Sequence, residues 1–235
     1  MRIRGAIFDM DGTLLDSMGF WGTLAERTLH ACGCTLCAED ALALRHRSLE
    51  QAAVYLTERY DTGLSPDGFY ELMSRLTEEF YRSEARTKPG VPAFLAELDA
   101  RGVVMCVATA TESDKAQAAL EHQGIAHYFQ AFLSCADLDM PKRDPRIYRE
   151  ALRVLGTTRA QTPVFEDMPH TLRIVAGDGF PAVAVRDDRI AYEEVCDIAD
   201  LYLDDFTDFA AFERWADSFE VGGTAEGGRE KAVFQ

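Results

Sequence analysis

Residues 4–13 read RGAIFDMDGT, a short apolar run followed by two aspartates two positions apart and then by a glycine. Such a run is typical of a buried strand in a parallel sheet that is covered by helices. Ligands of open α/β sheets bind at the carboxyl ends of the strands. We therefore expect chemistry at Asp9 and Asp11, whose side chains would point the same way if the extended backbone continued.

The same pattern recurs along the chain, where short apolar runs alternate with segments of helical periodicity. Several of the helical segments end at a glycine, which is the residue expected at a left-handed cap. This alternation predicts an α/β fold with a doubly wound parallel sheet. The predicted strands are 4–8, 103–108, 131–134, 163–165, 182–185 and 201–203, and the predicted helices between them include 91–101, 113–123 and 145–155.

The segment between the first two predicted strands is far longer than a βαβ crossover needs, which indicates an insertion. Ser48 and Gln51 form a capping-box pattern ahead of one helical face, and Ser65-Pro66 begins a second helix. The inserted segment is therefore predicted to be all-helical. We expect a core domain at 1–16 and 89–215, a helical cap subdomain at 17–88 and a flexible tail at 220–235.

The charge of the chain limits its partners. A formal net charge of -16 repels polyanions, and no Lys/Arg cluster stands out that could replace the counterions of a nucleic acid. No apolar segment approaches membrane-spanning length, and no signal peptide is recognisable. A single phosphate ester can still bind if a metal ion and a lysine offset the acidic field. We expect a cytoplasmic protein, a monomer or weak homodimer, whose partner is a small phosphorylated metabolite.

Six cysteines in mostly apolar contexts predict reduced thiols and no disulfide framework. Three of them, Cys32, Cys34 and Cys37, lie close together in ACGCTLC. They could hold zinc if a fourth ligand such as His30 joined them, but their uneven spacing favours a helix end capped by Gly33.

A second acidic pair, Glu166-Asp167, follows the apolar run at 163–165 just as Asp9 and Asp11 follow the first run. Carboxylates at neighbouring strand ends suit a hard cation such as Mg²⁺, and they leave one acid free to attack phosphorus and another free to move a proton. An Asx-turn pair that caps the following helix is the alternative for Asp9 and Asp11.

The stretch FDMDGTLLDS resembles the signature of the haloacid dehalogenase superfamily of phosphatases, and the other motifs of that superfamily follow in order over about the first 205 residues. The resemblance implies that Asp9 is the nucleophile and Asp11 the general acid and base. It implies that the Thr109 hydroxyl holds the phosphoryl group and that Lys142 neutralises its charge. Taken alone, Thr109 is typical of a helix cap and Lys142 of a solvated surface.

The resemblance also implies a magnesium site. Asp9 and Asp167 would be direct ligands, Asp11 would contribute its backbone carbonyl, and Glu166 would hold a metal-bound water. We further expect that the substrate is bound by Gly12, Thr13 and Ala110, and by Trp21 and Arg45 of the inserted segment. Core packing is the alternative for Trp21, and a helix surface of mixed charge is the alternative for Arg45.

This chain departs from the family pattern at four positions. Pro141 and Arg143 replace the usual glycine and proline on either side of Lys142, and Met168 and Thr171 replace the usual serine and glycine after Asp167. The spacing from Lys142 to Pro145 is kept, but the path of that loop and the entry into the following helix are open.

Three other functions compete with a phosphatase. A phosphosugar mutase of the β-phosphoglucomutase type shares these motifs, but Trp21 stands where such mutases carry a histidine, and the segment 77–81 offers Glu78 and Glu79 but no lysine. A catalytically silent regulator that binds phosphometabolites is disfavoured because the acidic and lysine motifs are intact. A true dehalogenase is disfavoured because halide displacement needs no cation site.

Overall fold

The computed structural model describes residues 3–44, 47–138, 140, 144–218 and 232–233. The chain divides into two compact units, one made of 1–16 and 86–235 and the other of 17–85. The predicted division placed the second boundary at 88, three residues later.

The first unit is built on a parallel sheet, as predicted from the alternation of apolar runs and helices. Within the described residues the sheet has seven strands in the order β3-β2-β1-β4-β5-β6-β7. The predicted α/β fold with a doubly wound sheet is confirmed, although the strand bounds shift by up to two residues. The strands are β1 Gly5–Phe8, β2 Val104–Thr109, β3 Phe129–Ser134, β4 Val164–Glu166, β5 Ala182–Val185, β6 Leu201–Leu203 and β7 Ala232–Val233.

Helices occupy the connections between these strands. The three helices predicted for the core domain are confirmed over Val91–Ala100, Ser113–His122 and Arg146–Leu155, each one residue shorter than expected. The last of them is followed by Gly156, which has a φ of 65° and takes the left-handed cap position. The helices of this unit are α5 Val91–Ala100, α6 Ser113–His122, α7 Arg146–Leu155, α8 Pro169–Gly177, α9 Tyr192–Val195 and α10 Phe209–Ser218.

Strand β1 is an inner strand of the sheet, between β2 and β4, and is completely buried. Its last residue, Phe8, pairs with Val107 of β2 on one side and with Phe165 of β4 on the other. The rings of Phe8 and Phe165 stack with centroids 4.3 Å apart, which adds to the burial energy of the strand pair. Because the three strands are parallel, their carboxyl ends meet at one edge of the sheet, and the residues that follow them become neighbours.

The second unit, 17–85, is helical over its described residues. The capping box of Ser48 and Gln51 is present at the start of the helix over 49–59, and Ser65 caps the helix that begins at Pro66. Gly33 has a φ of 77° just beyond the first helix, as its predicted cap role requires. The helices are α1 Met18–Ala31, α2 Ala38–Ala43, α3 Leu49–Arg59 and α4 Pro66–Ser83.

A buried aspartate joins α2 to α3 within this unit. Asp40 accepts hydrogen bonds of 2.6 Å from the hydroxyls of both Tyr55 and Tyr60, and it pairs with the Arg59 guanidinium at 2.7 Å. The hydrogen bond from Tyr55 is the largest of several that hold the pKa of Asp40 well below its usual range. The same bond network raises the pKa of Tyr60 to about 12. The carboxylate is therefore the centre of a charged hydrogen-bond network between two helices.

We predict that Asp40→Asn lowers the free energy of unfolding, because an amide accepts fewer hydrogen bonds and leaves Arg59 without its charge partner. A folded-state pKa below the unfolded value means that the ionised carboxylate stabilises the fold above about pH 4, and that this contribution is lost as the pH falls further. Thermal unfolding of the full chain from pH 3 to pH 7 measures both effects. Asp61→Asn, at an exposed residue, is the matched control, and equal melting temperatures for the two variants would contradict the prediction.

The cysteines form no disulfide, and all six are free thiols. Burial raises the pKa of Cys106 to about 12, which keeps that thiol protonated and unreactive. Within the described residues, Cys32, Cys34 and Cys37 do not form a metal-binding group. None of the helices that the structure describes is both long and apolar enough to cross a membrane.

Three predicted features fall partly or wholly outside the described residues. Arg45 and Lys142 lie outside them, as does most of the predicted tail at 220–235. Residues 232 and 233 are described, and they form a short strand beside β6.

Candidate active site

Three buried carboxylates meet at the carboxyl ends of β1 and β4. Asp9, Glu166 and Asp167 each offer an oxygen, and these oxygens all lie within 4.8 Å of one another. Asp9 is 2% exposed, Glu166 is fully buried and Asp167 is 1% exposed. The clustering follows from the register, because Asp9 directly follows Phe8 and the acidic pair follows the strand residue that pairs with Phe8.

Such crowding is costly unless a positive charge offsets it. Carboxylates buried this close repel one another, and each loses hydration on burial. Oxygen ligands at this separation fit a hard divalent cation, which would lower both costs together. The donor set is therefore suited to a hard divalent cation and is poorly suited to soft metals, which prefer sulfur and imidazole.

Thr13 links two of these carboxylates. Its buried hydroxyl lies 3.3 Å from Asp167 Oδ1 and 3.5 Å from Asp9 Oδ2, so it is shared between the two acids. The turn that delivers it begins at Gly12, whose φ of 87° lies in the left-handed region that favours glycine. Backbone bonds from Gly12 to Leu15 and from Leu14 to Met10 close this turn, each at 2.9 Å.

Asp11 is held apart from the three-carboxylate cluster. Its Oδ2 atom accepts a 3.0 Å hydrogen bond from the hydroxyl of Thr111, which follows β2. The backbone N–H of Thr111 donates to Oγ1 of Thr109 at 3.2 Å. Ala110, between the two threonines, is exposed. The end of β2 thus presents a hydroxyl to the edge of the sheet and fixes the second aspartate of the motif.

Lys88 lies in the same unit as the three carboxylates, and it was not predicted from the sequence to belong to a site. It is 9% exposed, its backbone N–H donates to Leu14, and its ammonium donates to the carbonyl of Arg186. Burial lowers the pKa of Lys88, while the negative charges of Asp167 and Asp187 oppose that shift.

The backbone that carries Lys88 is tightly constrained. Pro89 accepts a 3.0 Å hydrogen bond from the backbone of Phe206. Gly90 has a φ of 82°, and a Cβ atom there would lie 2.3 Å from the backbone of Phe206. Only glycine fits this turn, so the lysine is set beside the acidic group by a rigid segment.

The predicted site residues thus fall into three groups. Trp21 belongs to the helical unit, where it is partly buried on α1 with its ring edge-on to Phe20. Lys142 and Arg45 are outside the described residues. The remaining predicted residues lie at the ends of β1, β2 and β4 or in the turns that follow them: Asp9, Asp11, Gly12, Thr13, Thr109, Ala110, Glu166 and Asp167.

The sequence profile of the haloacid dehalogenase-like hydrolases matches residues 6–185 of the chain. Fructose-1-phosphate phosphatase YqaB of Escherichia coli is 26% identical over 185 residues, which are 79% of this chain and 97% of that protein. A probable pseudouridine-5'-phosphatase of Drosophila melanogaster is 26% identical over 200 residues, which are 82% of this chain and 86% of that protein.

Among solved structures, a putative beta-phosphoglucomutase from Thermotoga maritima is similar to this chain with a TM-score of 0.78. The similarity covers 90% of this chain and 99% of that one, at 18% sequence identity. At this identity the likeness concerns the fold, which does not by itself fix the reaction.

Proposed function

Because the chain belongs to the haloacid dehalogenase-like hydrolase family, we propose that it is a magnesium-dependent phosphatase that hydrolyses a small phosphate monoester through an aspartyl-phosphate on Asp9. The observation that carries the proposal is the buried group of Asp9, Glu166 and Asp167 at one edge of the sheet. Neighbouring strand ends add the Thr109 hydroxyl and the Asp11 carboxyl. These are the groups that a covalent phosphoryl transfer requires.

In the first step, a carboxylate oxygen of Asp9 attacks phosphorus in line with the ester oxygen. The bond from phosphorus to the ester oxygen breaks as the bond to Asp9 forms, and Asp11 gives its proton to the leaving oxygen. The Thr109 hydroxyl donates to an equatorial phosphoryl oxygen. Its oxygen already accepts the backbone N–H of Thr111, so its own proton is free to turn toward a ligand.

In the second step, a water molecule attacks phosphorus and gives a proton to Asp11. The bond from phosphorus to Asp9 breaks, which releases inorganic phosphate and restores the carboxylate. Asp9, Glu166, Asp167 and the backbone carbonyl of Asp11 would hold magnesium, and the ion when bound supplies positive charge against the phosphoryl oxygens. Lys142 would add a second positive charge beside the phosphate.

The substrate class that we propose is a small phosphorylated metabolite. The relatives of this chain are named as phosphatases of such compounds, including a sugar phosphate and a nucleoside phosphate. The formal charge of -16 repels anions and therefore disfavours a polyanionic substrate. Because of the same repulsion, a single phosphate needs a cation in the site in order to bind. We propose that Gly12, Thr13 and Ala110 contact the phosphate end, and that Trp21 and Arg45 contact the rest of the substrate.

We also propose that the protein works in the cytoplasm as a monomer or weak homodimer.

The rival within the same chemistry is a phosphosugar mutase, in which a sugar hydroxyl replaces water as the phosphoryl acceptor. Such transfer requires basic groups that hold the distal phosphate of a bisphosphate while the intermediate survives. Glu78 and Glu79 are exposed on α4 and would repel that group. Trp21 offers no charge at the position where such mutases carry a histidine.

We therefore predict that water is the acceptor. With magnesium, β-glucose 1-phosphate and catalytic glucose 1,6-bisphosphate, the purified protein should release inorganic phosphate and form little glucose 6-phosphate. Both products are followed in the same reaction. Efficient formation of glucose 6-phosphate with little free phosphate would overturn the hydrolase assignment in favour of the mutase.

A further inference from the structure

Thr111 makes two hydrogen bonds that join separate parts of the proposed machinery. Its hydroxyl donates to Asp11 Oδ2 at 3.0 Å, and its backbone N–H donates to Thr109 Oγ1 at 3.2 Å. The residue is only 7% exposed, so water competes weakly for either bond. One residue therefore contacts both the proposed proton donor and the proposed phosphate-binding hydroxyl.

The end of strand β2 holds the backbone at Thr111 in place. It comes two residues after Thr109, the last residue of β2, which pairs with β1 on one side and β3 on the other. The backbone N–H of Cys135, just after β3, donates to the carbonyl of Thr109 at 2.8 Å and fixes that strand end further. Asp11 lies in the turn after β1, and the hydrogen bond from Thr111 ties its side chain to this strand end.

We propose that Thr111 is the positioning residue that aims the Asp11 carboxyl at the leaving oxygen. It thereby keeps that carboxyl aligned with the phosphoryl group that Thr109 holds. This inference rests on the proposed phosphatase function. The hydroxyl of Thr111 neither reacts nor touches the phosphorus. Its role is to fix the direction in which Asp11 presents its proton.

The proton that Asp11 donates determines which substrates should react more slowly when the hydrogen bond from Thr111 to Asp11 is lost. In the first step, Asp11 gives a proton to the ester oxygen as the bond from that oxygen to phosphorus breaks. An alkyl ester needs this proton because an alkoxide is a poor leaving group. An aryl ester such as p-nitrophenyl phosphate needs it far less, since the nitrophenolate spreads its negative charge over the ring and the nitro group and leaves without a proton. Misplacing Asp11 therefore penalises alkyl phosphates selectively.

Thr111→Val is the direct test, because valine keeps the backbone N–H and puts a methyl group of similar size in place of the hydroxyl, so the hydrogen bond to Asp11 is lost. We expect kcat/KM for an alkyl phosphate to fall by on the order of tenfold, while kcat/KM for p-nitrophenyl phosphate stays within about twofold of the wild type. This quantity is the right one because it reports the first step, in which the leaving groups differ, and not the hydrolysis of the intermediate that both esters share. Thr111→Ser restores the hydroxyl and should restore the alkyl activity. Equal loss on both substrates, or no loss on either, would overturn the proposal.

A matched control separates positioning from general destabilisation. Thr162 is also buried, and its hydroxyl donates to the carbonyl of Thr158 at 2.8 Å, at the amino end of β4. Thr162→Val should lower the melting temperature without changing the ratio of alkyl to aryl activity. A change in that ratio equal to the change in Thr111→Val would assign the effect to stability and overturn the proposal.

Crystal structures of the wild type and of Thr111→Val decide the point without relying on activity. The proposal predicts a different or disordered Asp11 side chain in the variant and an unchanged Thr109. An Asp11 side chain that keeps the wild-type conformation would overturn the inference, even in an active enzyme. Failure of the wild type to hydrolyse either class of ester would instead refute the proposed phosphatase function, and the two structures would still report on Asp11.

Discussion

Asp9→Asn is expected to abolish magnesium-dependent phosphate release, with a loss on the order of 10⁴-fold or more, as is typical when an enzyme loses its nucleophile. A carboxamide cannot form an acyl phosphate, so no alternative covalent route remains at this position. The fold should survive, because Asn is nearly the same size as Asp and Asp9 is the first residue after β1. The variant should even relieve part of the repulsion among the three buried carboxylates.

The measurement is steady-state release of phosphate from p-nitrophenyl phosphate, together with thermal unfolding of each protein. Asp200→Asn is the matched control, because Asp200 is also buried and its carboxylate accepts a backbone bond from Ala182 at the amino end of β5, opposite the site. Asn keeps that acceptor, so the control should remain active. Activity of Asp9→Asn near that of the wild type would end the covalent mechanism.

Removal of divalent metal is expected to have the second-largest effect. Without a cation, Asp9, Glu166 and Asp167 would present a buried negative field to an anionic substrate. Chelation with EDTA should lower kcat/KM by on the order of 10³-fold or more, and excess magnesium should restore it. Calcium should restore less activity or inhibit, because its looser coordination tolerates geometries that do not align the phosphoryl group.

The melting temperature measures metal binding at the same site without relying on turnover. A cation that binds the folded protein and not the unfolded chain raises the melting temperature as its concentration increases. Magnesium should therefore stabilise the wild type and should have little effect on Asp167→Asn, which lacks one of the three carboxylates. Full turnover of thoroughly chelated protein, or an equal magnesium effect on both proteins, would contradict the proposed metal site.

Much of the core of the site was predictable because its signals are local in sequence. Asp9 and the pair Glu166-Asp167 each follow an apolar run, and parallel strands bring their carboxyl ends to the same edge. The predicted fold followed from the same runs, and the strands differ from expectation only at their bounds, as with β3, which begins at Phe129 rather than at residue 131. Strand ends are difficult to predict because pairing partners, rather than local propensity, decide where a strand stops.

What the sequence could not reveal depends on contacts between distant residues. Thr111 and Asp11 are a hundred positions apart, and a threonine after a strand has no local feature that marks it as the partner of an aspartate. Lys88 resembles an ordinary surface lysine in the sequence, yet it is buried because a tight turn at Gly90 holds it against the core. The hydrogen bonds of Asp40 could not be predicted from the sequence either. Their donors are Tyr55 on α3 and Tyr60 directly after that helix, both at least fifteen positions away.

The covalent intermediate on Asp9 is the central claim, and the stereochemical course at phosphorus tests it most directly. A p-nitrophenyl thiophosphate made chiral with two oxygen isotopes is hydrolysed by the magnesium-loaded protein in water that carries the third isotope, and the configuration of the released thiophosphate is determined. Two successive in-line displacements, first by Asp9 and then by water, each invert the phosphorus and together give net retention. Net inversion would mean that water attacks the substrate directly, and it would contradict the aspartyl-phosphate mechanism.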